Sequence, residues 1–570
     1  MSTEINAVAP LAAAGAEEGP RFSRRVTLLT MLSVLLVMLL ASLDQTIVGT
    51  ALPKATADLP GFTFGGYTWV TTAYLLTSTV MVPIYGKLSD IFGRKPIMIF
   101  ALSLFLLGSG LSGASHSFDQ LILFRAFQGL GAGGLMSIAI AIVGDLFTPR
   151  ERARWQGVTG SILGVAFIIG PTIGGWITDS LNWRWVFYVN LPLGVIALLT
   201  LIFLMPTLRH PQKGVKIDFI GAALLVMGAV PLLLGLSWGG SQYDWNSPQV
   251  LGALAVALVG SVAFVLYELR LERQGGQPIF EPTLFKNNAF AISIIVTMFA
   301  GVALFGSIYY IPLFVQGVVG TSATNSGVII TPLMMAAVVT SIFSGQLVAR
   351  SGRYKWIALA GAGISIVGTL LLLRLGVHST NSDVVVAMVV LGLGMGAGMS
   401  LYTLIVQNAL PTKIGQASAG ITFFRQIGST IGLAAMGAVM NATYPSAFRD
   451  ALPAQVKQAL PAQALKNFDN PQVLLSSTAM AKLHDAFAQF GPQGTALLNA
   501  ILDGMKTGIT QGVHSIFLMG LGLSIASVIV LFFLKEIPLR GGGTRRPSVV
   551  AEAEETLAEE AGVALPAGHI

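Results

Sequence analysis

The chain has no cysteine among its 570 residues, which excludes disulfide bridges, catalytic thiolates and cysteine-ligated metal sites. Charged residues are also scarce, at 10% of the total, whereas soluble domains carry roughly 25%. Hydrophobic residues make up 54% of the chain. A sequence with so little charge cannot cover a soluble globule with polar surface. We therefore predict an all-α polytopic membrane protein.

Apolar runs of about 20 residues recur along the chain, each long enough to cross about 30 Å of hydrocarbon. The first follows Arg21, Arg24 and Arg25 and ends without a small-residue cleavage pattern, so we expect a permanent span. Fourteen spans fit the sequence, at 27–48, 67–86, 97–115, 121–144, 155–178, 186–205, 217–237, 250–268, 289–314, 325–348, 356–374, 384–408, 416–441 and 514–534.

Lysine and arginine are distributed unevenly between the two sets of loops. The short loops on one side hold only Lys54, Arg184 and Arg374, whereas nineteen basic residues lie in the loops and N-terminal tail on the opposite side. The positive-inside rule makes the crowded side cytoplasmic, so we expect both termini in the cytoplasm and the protein in the cell membrane. These loops account for the net charge of +7. We expect no nucleic-acid partner, and a monomer in contact with the lipid bilayer.

Two motifs occur twice. The charged turn from Gly86 to Pro96 reappears in weaker form from Gly345 to Lys355, and Gly129–Gly133 reappears as Gly392–Gly396. Such a repeat predicts two six-helix bundles, with spans seven and eight inserted between them as two additional transmembrane helices. The predicted organisation is an N-terminal cytoplasmic tail (1–26), an N-terminal bundle (27–210), the inserted spans with linkers (211–287), a C-terminal bundle (288–540) and a C-terminal cytoplasmic tail (541–570).

The C-terminal bundle includes a long outer loop at 442–513. Apolar residues at helical spacing within it predict short amphipathic helices over the outer mouth. A floppy exported loop is the alternative.

Charged residues inside apolar spans are costly and therefore mark functional sites. Asp44 lies late in span one and Arg125 early in span four, so the two residues are expected at similar depth. A paired carboxylate that faces a cavity can bind and release a proton as nearby charges change. In the alternative, Arg125 extends to the interface and Asp44 caps a helix. The polar neighbours Gln45, Thr46 and Gln128 favour the pair.

Asp90, Arg94 and Asp145 are expected to meet at the cytoplasmic ends of spans two to four, within a turn that contains Gly86 and Gly93. An ion-pair cluster there can hold one conformation and release it in another. Positive-inside loops alone would explain the basic residues but not the two acids.

Span five carries small residues and a proline, which predict either a hinge or seal between the bundles or simple tight packing. These residues are Gly164, Gly170, Pro171, Gly174 and Gly175.

Enzyme motifs are present only as coincidental strings. Gly129–Gly134 fits a dinucleotide fingerprint but lies in an apolar span, and Gly235–Gly239 fits a nucleophile elbow without a preceding strand. The six histidines lie in loops or at span ends. We expect no enzyme activity, no metal site and no cofactor, with protons as the coupling ion.

The turn from Gly86 to Pro96 resembles the signature loop of the major facilitator superfamily. Its fourteen-span drug–proton antiporter branch is resembled by further stretches, at Leu43–Pro53, Arg125–Gly134, Gly164–Gly175, Trp183–Pro192 and Phe424–Gly428. The resemblance implies a major facilitator fold, in which Asp44 couples protons to substrate with Arg125 as its partner. It also implies a cytoplasmic latch of Asp90, Arg94 and Asp145, and an export-favouring kink at Gly170 and Pro171.

Two departures from the family pattern matter. The second loop copy has Ala349 in place of the acid at Asp90, so only the first half is expected to latch. Relatives that handle divalent cations carry further acids in spans ten and thirteen, and this sequence has none there. That difference favours monovalent cationic or neutral amphiphiles as substrates.

We therefore predict a proton-coupled exporter (a drug/H+ antiporter) of hydrophobic compounds, working by alternating access. The alternatives are a dedicated exporter of one lipid, siderophore or antibiotic-like product, and less favoured an uptake symporter, a membrane-bound enzyme or a channel. The residues expected to line the substrate cavity are Tyr74, Gln128, Tyr309, Tyr310, Gln407, Asn408, Phe424 and Arg425.

Overall fold

The computed structural model describes residues 23–60, 69–208, 217–240, 242–320, 323–459, 465, 468 and 477–539. Within these ranges the chain is helical and forms no strand. The predicted C-terminal tail and all but the last few residues of the predicted N-terminal tail lie outside the described residues.

The helices follow one another along the chain with short connections. They are α1 (Arg24–Asp58), α2 (Trp69–Phe92), α3 (Arg94–Gly113), α4 (Phe118–Leu146), α5 (Pro149–Ser180), α6 (Trp185–Tyr188), α7 (Asn190–Leu204), α8 (Phe219–Trp238), α9 (Pro248–Arg273), α10 (Asn288–Phe314), α11 (Ala323–Ser351), α12 (Lys355–Leu372), α13 (Asn381–Ala409), α14 (Ile414–Ala451), α15 (Ala454–Ala459), α16 (Ser477–Ala488) and α17 (Gly491–Phe532).

Twelve helices of the described chain are long and apolar enough to cross a membrane. The helices α2 and α14, which correspond to predicted spans two and thirteen, are not among the twelve. Both contain many polar residues, with five threonines and serines between Thr71 and Thr79 in α2. Each nevertheless packs along other long helices, α2 against α4 and α14 against α10 and α17. Their sequences are less apolar because they are enclosed by protein.

The predicted repeat has a counterpart in the contacts of two lysines. Near the start of α3, Lys95 Nζ donates to the carbonyls of Ile202 and Met205 at the end of α7, both at 2.8 Å. At the start of α12, Lys355 Nζ donates to the carbonyl of Phe532 at the end of α17, also at 2.8 Å. A cation suits the exposed carbonyls of a helix end. A lysine therefore binds the carbonyls at the end of the last helix in each half, that is, in α1–α7 and in α10–α17.

The inserted helices α8 and α9 pack on each other and lie beside the junction of the two halves. Gly228 of α8 approaches the backbone of Ser261 in α9 so closely that a Cβ atom would be 3.0 Å from its nitrogen. On its other face, α8 contributes Leu225 and Ala229 to an apolar cluster with Val80 of α2 and Phe423 of α14. The insertion thus contacts both halves at once.

The outer loop differs from its prediction as a set of short helices over the mouth. Helix α14 continues to Ala451 and α17 begins at Gly491, so 442–451 and 491–513 extend the two flanking helices. The extensions pack as an antiparallel hairpin, in which Gly508 of α17 lies against Tyr444 and Phe448 of α14. Glycines spaced four residues apart give α17 a flat face, which lets the aromatic rings approach. Between the two extensions, the described residues form the short helices α15 and α16.

This close approach predicts an effect of one substitution. Leucine at Gly508 should force the hairpin apart, because a Cβ atom there would already lie 3.1 Å from Phe448 Cβ and from the Tyr444 ring. We expect Gly508→Leu to destabilise the purified protein by about 1–3 kcal/mol, seen as a lower midpoint of thermal unfolding. The matched control is Gly520→Leu in the same helix, where nothing lies within 4 Å. Equal midpoints for both variants would contradict the hairpin.

Candidate functional site

Three side chains donate hydrogen bonds to the Asp44 carboxylate inside the N-terminal half. Arg125 Nη1 lies 2.8 Å from Oδ2, while Gln128 Nε2 and Asn190 Nδ2 lie 2.9 and 2.8 Å from Oδ1. Asp44 is 2% exposed and Arg125 is 1% exposed. The structure therefore joins the two predicted residues in a closed ion pair.

Further contacts hold Arg125 and Asn190 in place around Asp44. The Arg125 guanidinium lies over the Tyr74 ring, 4.0 Å from its centroid, a favourable cation–π geometry. Asn190 Nδ2 also donates to Ser109 Oγ at 3.0 Å, and Ser109 Oγ donates to the carbonyl of Phe187 at 2.9 Å. The cluster joins α1, α2, α3, α4 and α7, so a change in its hydrogen bonding affects the packing of five helices.

Arg94 is the centre of a second cluster, at the other end of the same half. Its Nε lies 2.7 Å from Asp145 Oδ2, its Nη2 lies 2.7 Å from Asp90 Oδ1, and its Nη1 donates to Ser89 Oγ at 2.6 Å. Gly93 has a φ of +94°, which favours glycine, and it makes the sharp turn that places Arg94 at the start of α3. The predicted latch residues are thus in contact.

The C-terminal half packs directly on this latch cluster. A Cβ atom on Gly415 of α14 would lie 2.4 Å from Asp90 Oδ2, and one on Gly86 would lie 2.5 Å from Ala419 Cβ. Only glycine fits at Gly86 and Gly415 in this arrangement. The two halves are therefore closed against each other at the Asp90 end of the bundle.

Gln407 reinforces this closure with hydrogen bonds between the halves. It is fully buried, accepts from Gln156 Nε2 at 3.2 Å, and donates to the carbonyl of Ile140 at 3.1 Å. It also donates to Ser418 Oγ within its own half at 2.9 Å. Gln407 was predicted to line the substrate cavity, but here it belongs to the interface between the halves.

The small residues of α5 serve two different interfaces. A Cβ atom on Gly164 would lie 2.5 Å from Val338 Cγ2 of α11, and one on Gly170 would lie 2.0 Å from Thr46 Oγ1 of α1. Gly174 accepts a bond from Thr178 Oγ1 through its carbonyl, and nothing lies within 4 Å of a Cβ on Gly175. The helix is continuous past position 171, and the Pro171 side chain lies outside what the structure describes.

The other predicted substrate residues do not come together in one cavity. Tyr74 and Gln128 belong to the Asp44 cluster, and Asn408 Nδ2 donates to the carbonyl of Ile537 at 3.2 Å. Phe424 joins an aromatic cluster with Phe280, its ring centroid 6.0 Å away.

The other three residues predicted to line the cavity are only partly enclosed by protein. Tyr309 is 50% exposed, Tyr310 packs at the edge of the C-terminal core, and Arg425 is half-buried.

Several site residues were missed by sequence reasoning. Asn190 and Ser109 complete the Asp44 cluster, and Gly415 and Gln156 contribute to the closed interface. Asn190 carried a detectable signal, because it is a polar residue opening an apolar span. Within the described residues, no group of three histidine or acidic side chains is placed to hold a metal ion.

The Asp44 cluster predicts that a single substitution destabilises the protein more than a double substitution that removes both charges. Arg125→Leu should destabilise the protein by about 3–5 kcal/mol, because it leaves a buried carboxylate without its counter-charge. Adding Asp44→Asn to Arg125→Leu should recover part of that loss. Thermal unfolding of the purified variants measures both, with the exposed Arg374→Leu as the control. A double variant no more stable than Arg125→Leu would contradict the pairing.

The closed interface predicts that a wedge at Gly415 opens it. Gly415→Leu should displace Asp90 and raise the maleimide labelling rate of a cysteine at Ala419 roughly tenfold, a shift of about 1.4 kcal/mol. The natural chain has no cysteine, so Ala419→Cys is the sole target. Gly363→Leu is the control, since nothing lies within 4 Å of a Cβ there. Unchanged labelling in Gly415→Leu would count against the interface.

Comparison with known proteins identifies the family to which this architecture belongs. Residues 34–433 match the model of the Major Facilitator Superfamily. The chain is 41% identical over 528 residues to the multidrug transporter protein MdtP of Bacillus subtilis, covering 91% of this chain and 94% of that protein. It is 35% identical over 512 residues to multidrug resistance protein 3 of the same organism, covering 89% and 95%.

Solved structures share the fold at low sequence identity. The human organic anion transporter MFSD10 superposes with a TM-score of 0.54 at 14% identity, covering 89% of this chain and 99% of that one. The proton:xylose symporter XylE gives 0.53 at 12% identity, covering 91% and 98%. The matched family and fold are those of transporters and not of enzymes. The chain belongs to the Major Facilitator Superfamily, and its homologues include multidrug transporters.

Proposed function

We propose that the protein is a proton-coupled secondary active exporter of hydrophobic amphiphiles, a drug/H+ antiporter that works by alternating access. The observation that carries this proposal is the Asp44 carboxylate, buried among helices and held by donors from two of them. An intramembrane acid with an arginine partner is the kind of group that relays protons in transporters. The names of the relatives, multidrug transporters, supply the direction of transport and the breadth of substrate.

Protonation of Asp44 would change the energy of the whole cluster. A neutral carboxyl no longer compensates Arg125, whose buried guanidinium must then find another partner or move. Asp44 lies on α1, where Thr46 Oγ1 donates to the carbonyl of Ala166 in α5 at 3.2 Å. Helix α5 in turn meets α11 of the other half at Gly164. A contiguous set of contacts thus connects the proton site with the interface that must rearrange.

The proposed topology has fourteen spans, with α2 and α14 crossing the membrane together with the twelve more apolar helices. Both are enclosed by long helices, so neither needs a fully apolar surface. With an even number of spans both termini lie on one side, which the basic loops assign to the cytoplasm of the cell membrane. The Asp90 end is then cytoplasmic, and the closed arrangement there corresponds to a state that faces outward. A monomer contains both halves and suffices for this cycle.

The decisive experiment compares Asp44→Asn with the wild-type protein in cells that lack their own pumps. The wild type should expel the neutral dye Nile red, and a protonophore should abolish that efflux. Asp44→Asn should reduce efflux to the background, because an amide cannot cycle a proton. The matched control is Asp119→Asn, an exposed acid in the first turn of α4. Equal efflux by Asp44→Asn and wild type, or efflux that ignores the protonophore, would overturn proton coupling through Asp44.

A further inference from the structure

Arg425 is a cation in the middle of a long helix, and no counter-charge lies against it among the residues that the structure describes. It lies eleven residues after Ile414, about 17 Å along α14 at 1.5 Å per residue. Within the described residues its guanidinium forms no ion pair and donates no hydrogen bond, unlike the guanidinium groups of Arg94 and Arg125. An uncompensated charge at membrane depth is costly, so its presence there indicates a function.

The acids that could have neutralised Arg425 are committed elsewhere. Asp44 is paired with Arg125, and Asp90 and Asp145 are paired with Arg94. Glu268, the remaining acid deep in a long helix, is fully buried in α9. It lies beside Asp218 at Gly221, where a Cβ atom would touch both carboxylates, so it is enclosed between α8 and α9. The described interior therefore offers a free cation but no accessible free acid.

The position of Arg425 is suited to a transported molecule. Helix α14 packs against α10 of its own half and against α2 and α4 of the other. The backbone of Arg425 meets α10 at Gly301, where a Cβ atom would lie 2.7 Å from the Arg425 carbonyl. The side chain is half-buried, so part of it stays accessible, whereas Arg94 and Arg125 are closed off. Next to it, Gln426 Oε1 is buried and has no partner within the described chain.

We infer that Arg425 is a binding site for the acidic head group of a substrate, so that carboxylate-bearing amphiphiles are bound in preference to lipophilic cations. This inference rests on the exporter role proposed above and narrows its hydrophobic amphiphiles to acidic ones, where the sequence alone favours monovalent cationic or neutral substrates. A guanidinium binds a carboxylate through two parallel hydrogen bonds and repels a quaternary ammonium group. The surrounding apolar residues of α14 and its neighbours accept the hydrophobic body of such a molecule.

Binding to the purified full-length protein in detergent tests the inference without a proton gradient. Three fluorescent probes share one pyrenyl-butyl body and carry a carboxylate, a primary amide or a trimethylammonium head. The wild type should bind the carboxylate most tightly and the ammonium probe most weakly. Arg425→Gln should raise the Kd of the carboxylate roughly 10- to 100-fold and leave the Kd of the amide unchanged. Arg425→Lys should retain part of the preference, because it keeps the charge but loses the planar fork.

The matched control is Arg374→Gln, which removes an exposed arginine near the end of α12 and should leave all three Kd values unchanged. The inference is overturned if the wild type binds the ammonium probe at least as tightly as the carboxylate. It is equally overturned if Arg425→Gln leaves carboxylate binding intact. Should Arg425→Gln fail to fold, the wild-type series and Arg425→Lys decide the matter.

A transport measurement separates this inference from the proposed function. In proteoliposomes, exchange of one anion for one proton is electrogenic, because the proton moving one way and the anion moving the other both transfer positive charge in the proton's direction. Exchange of one monovalent cation for one proton is electroneutral. A potassium diffusion potential set with valinomycin should therefore drive pyrenebutyrate transport by the wild type even without a pH gradient. Selective carboxylate binding without such transport would sustain the site and refute the coupled exporter. Potential-independent transport of the ammonium probe would do the reverse.

Discussion

The constraint on which the rest of the N-terminal half depends is the cost of keeping charge away from water. An isolated ion buried in a low-dielectric interior costs several kcal/mol, and an ion pair offsets that cost only with good geometry and further hydrogen bonds. The Asp44–Arg125 pair meets both conditions, through Gln128 and Asn190 on the acid and Tyr74 beneath the guanidinium. The helices that carry these side chains are thereby fixed relative to one another. A change of charge at Asp44 would release that constraint.

At the Asp90 end, the two halves use acidic side chains in different ways. In the first half, Arg94 binds the two acids Asp90 and Asp145. In the second half, where Ala349 replaces the acid, Glu536 from beyond α17 accepts bonds from the backbone of Tyr354 and Lys355, at 2.8 and 3.2 Å. That carboxylate is suited to the positive end of α12. The duplicated scaffold is retained, and only one copy keeps a cluster that borders the other half.

Contact between the halves relies on small residues and a few hydrogen bonds. Gly86, Gly415 and Gly164 let helices approach closely, and Gln407 with Gln156 adds a polar link. Within the described chain, these contacts between the halves include no ion pair. Packing without strong charges can separate and re-form at modest cost, which suits a protein that opens at alternate ends. The inserted helix α8 contacts both halves at their junction, and α9 packs on α8.

The sequence by itself determined the class of fold, the repeat, the contact of Asp90 and Asp145 with Arg94 and the pairing of Asp44 with Arg125, because hydropathy, spacing and costly buried charges are local signals. It also indicated helical character in 442–513 but not the hairpin, since packing of α14 on α17 depends on contacts between distant segments. Only the tertiary structure assigned Gln407 to the interface, added Asn190 and Ser109 to the Asp44 cluster, and showed no partner for Arg425 among the described residues. A polar residue in an apolar span is visible in a sequence. Which group satisfies it is decided by helices that meet in three dimensions, far apart along the chain.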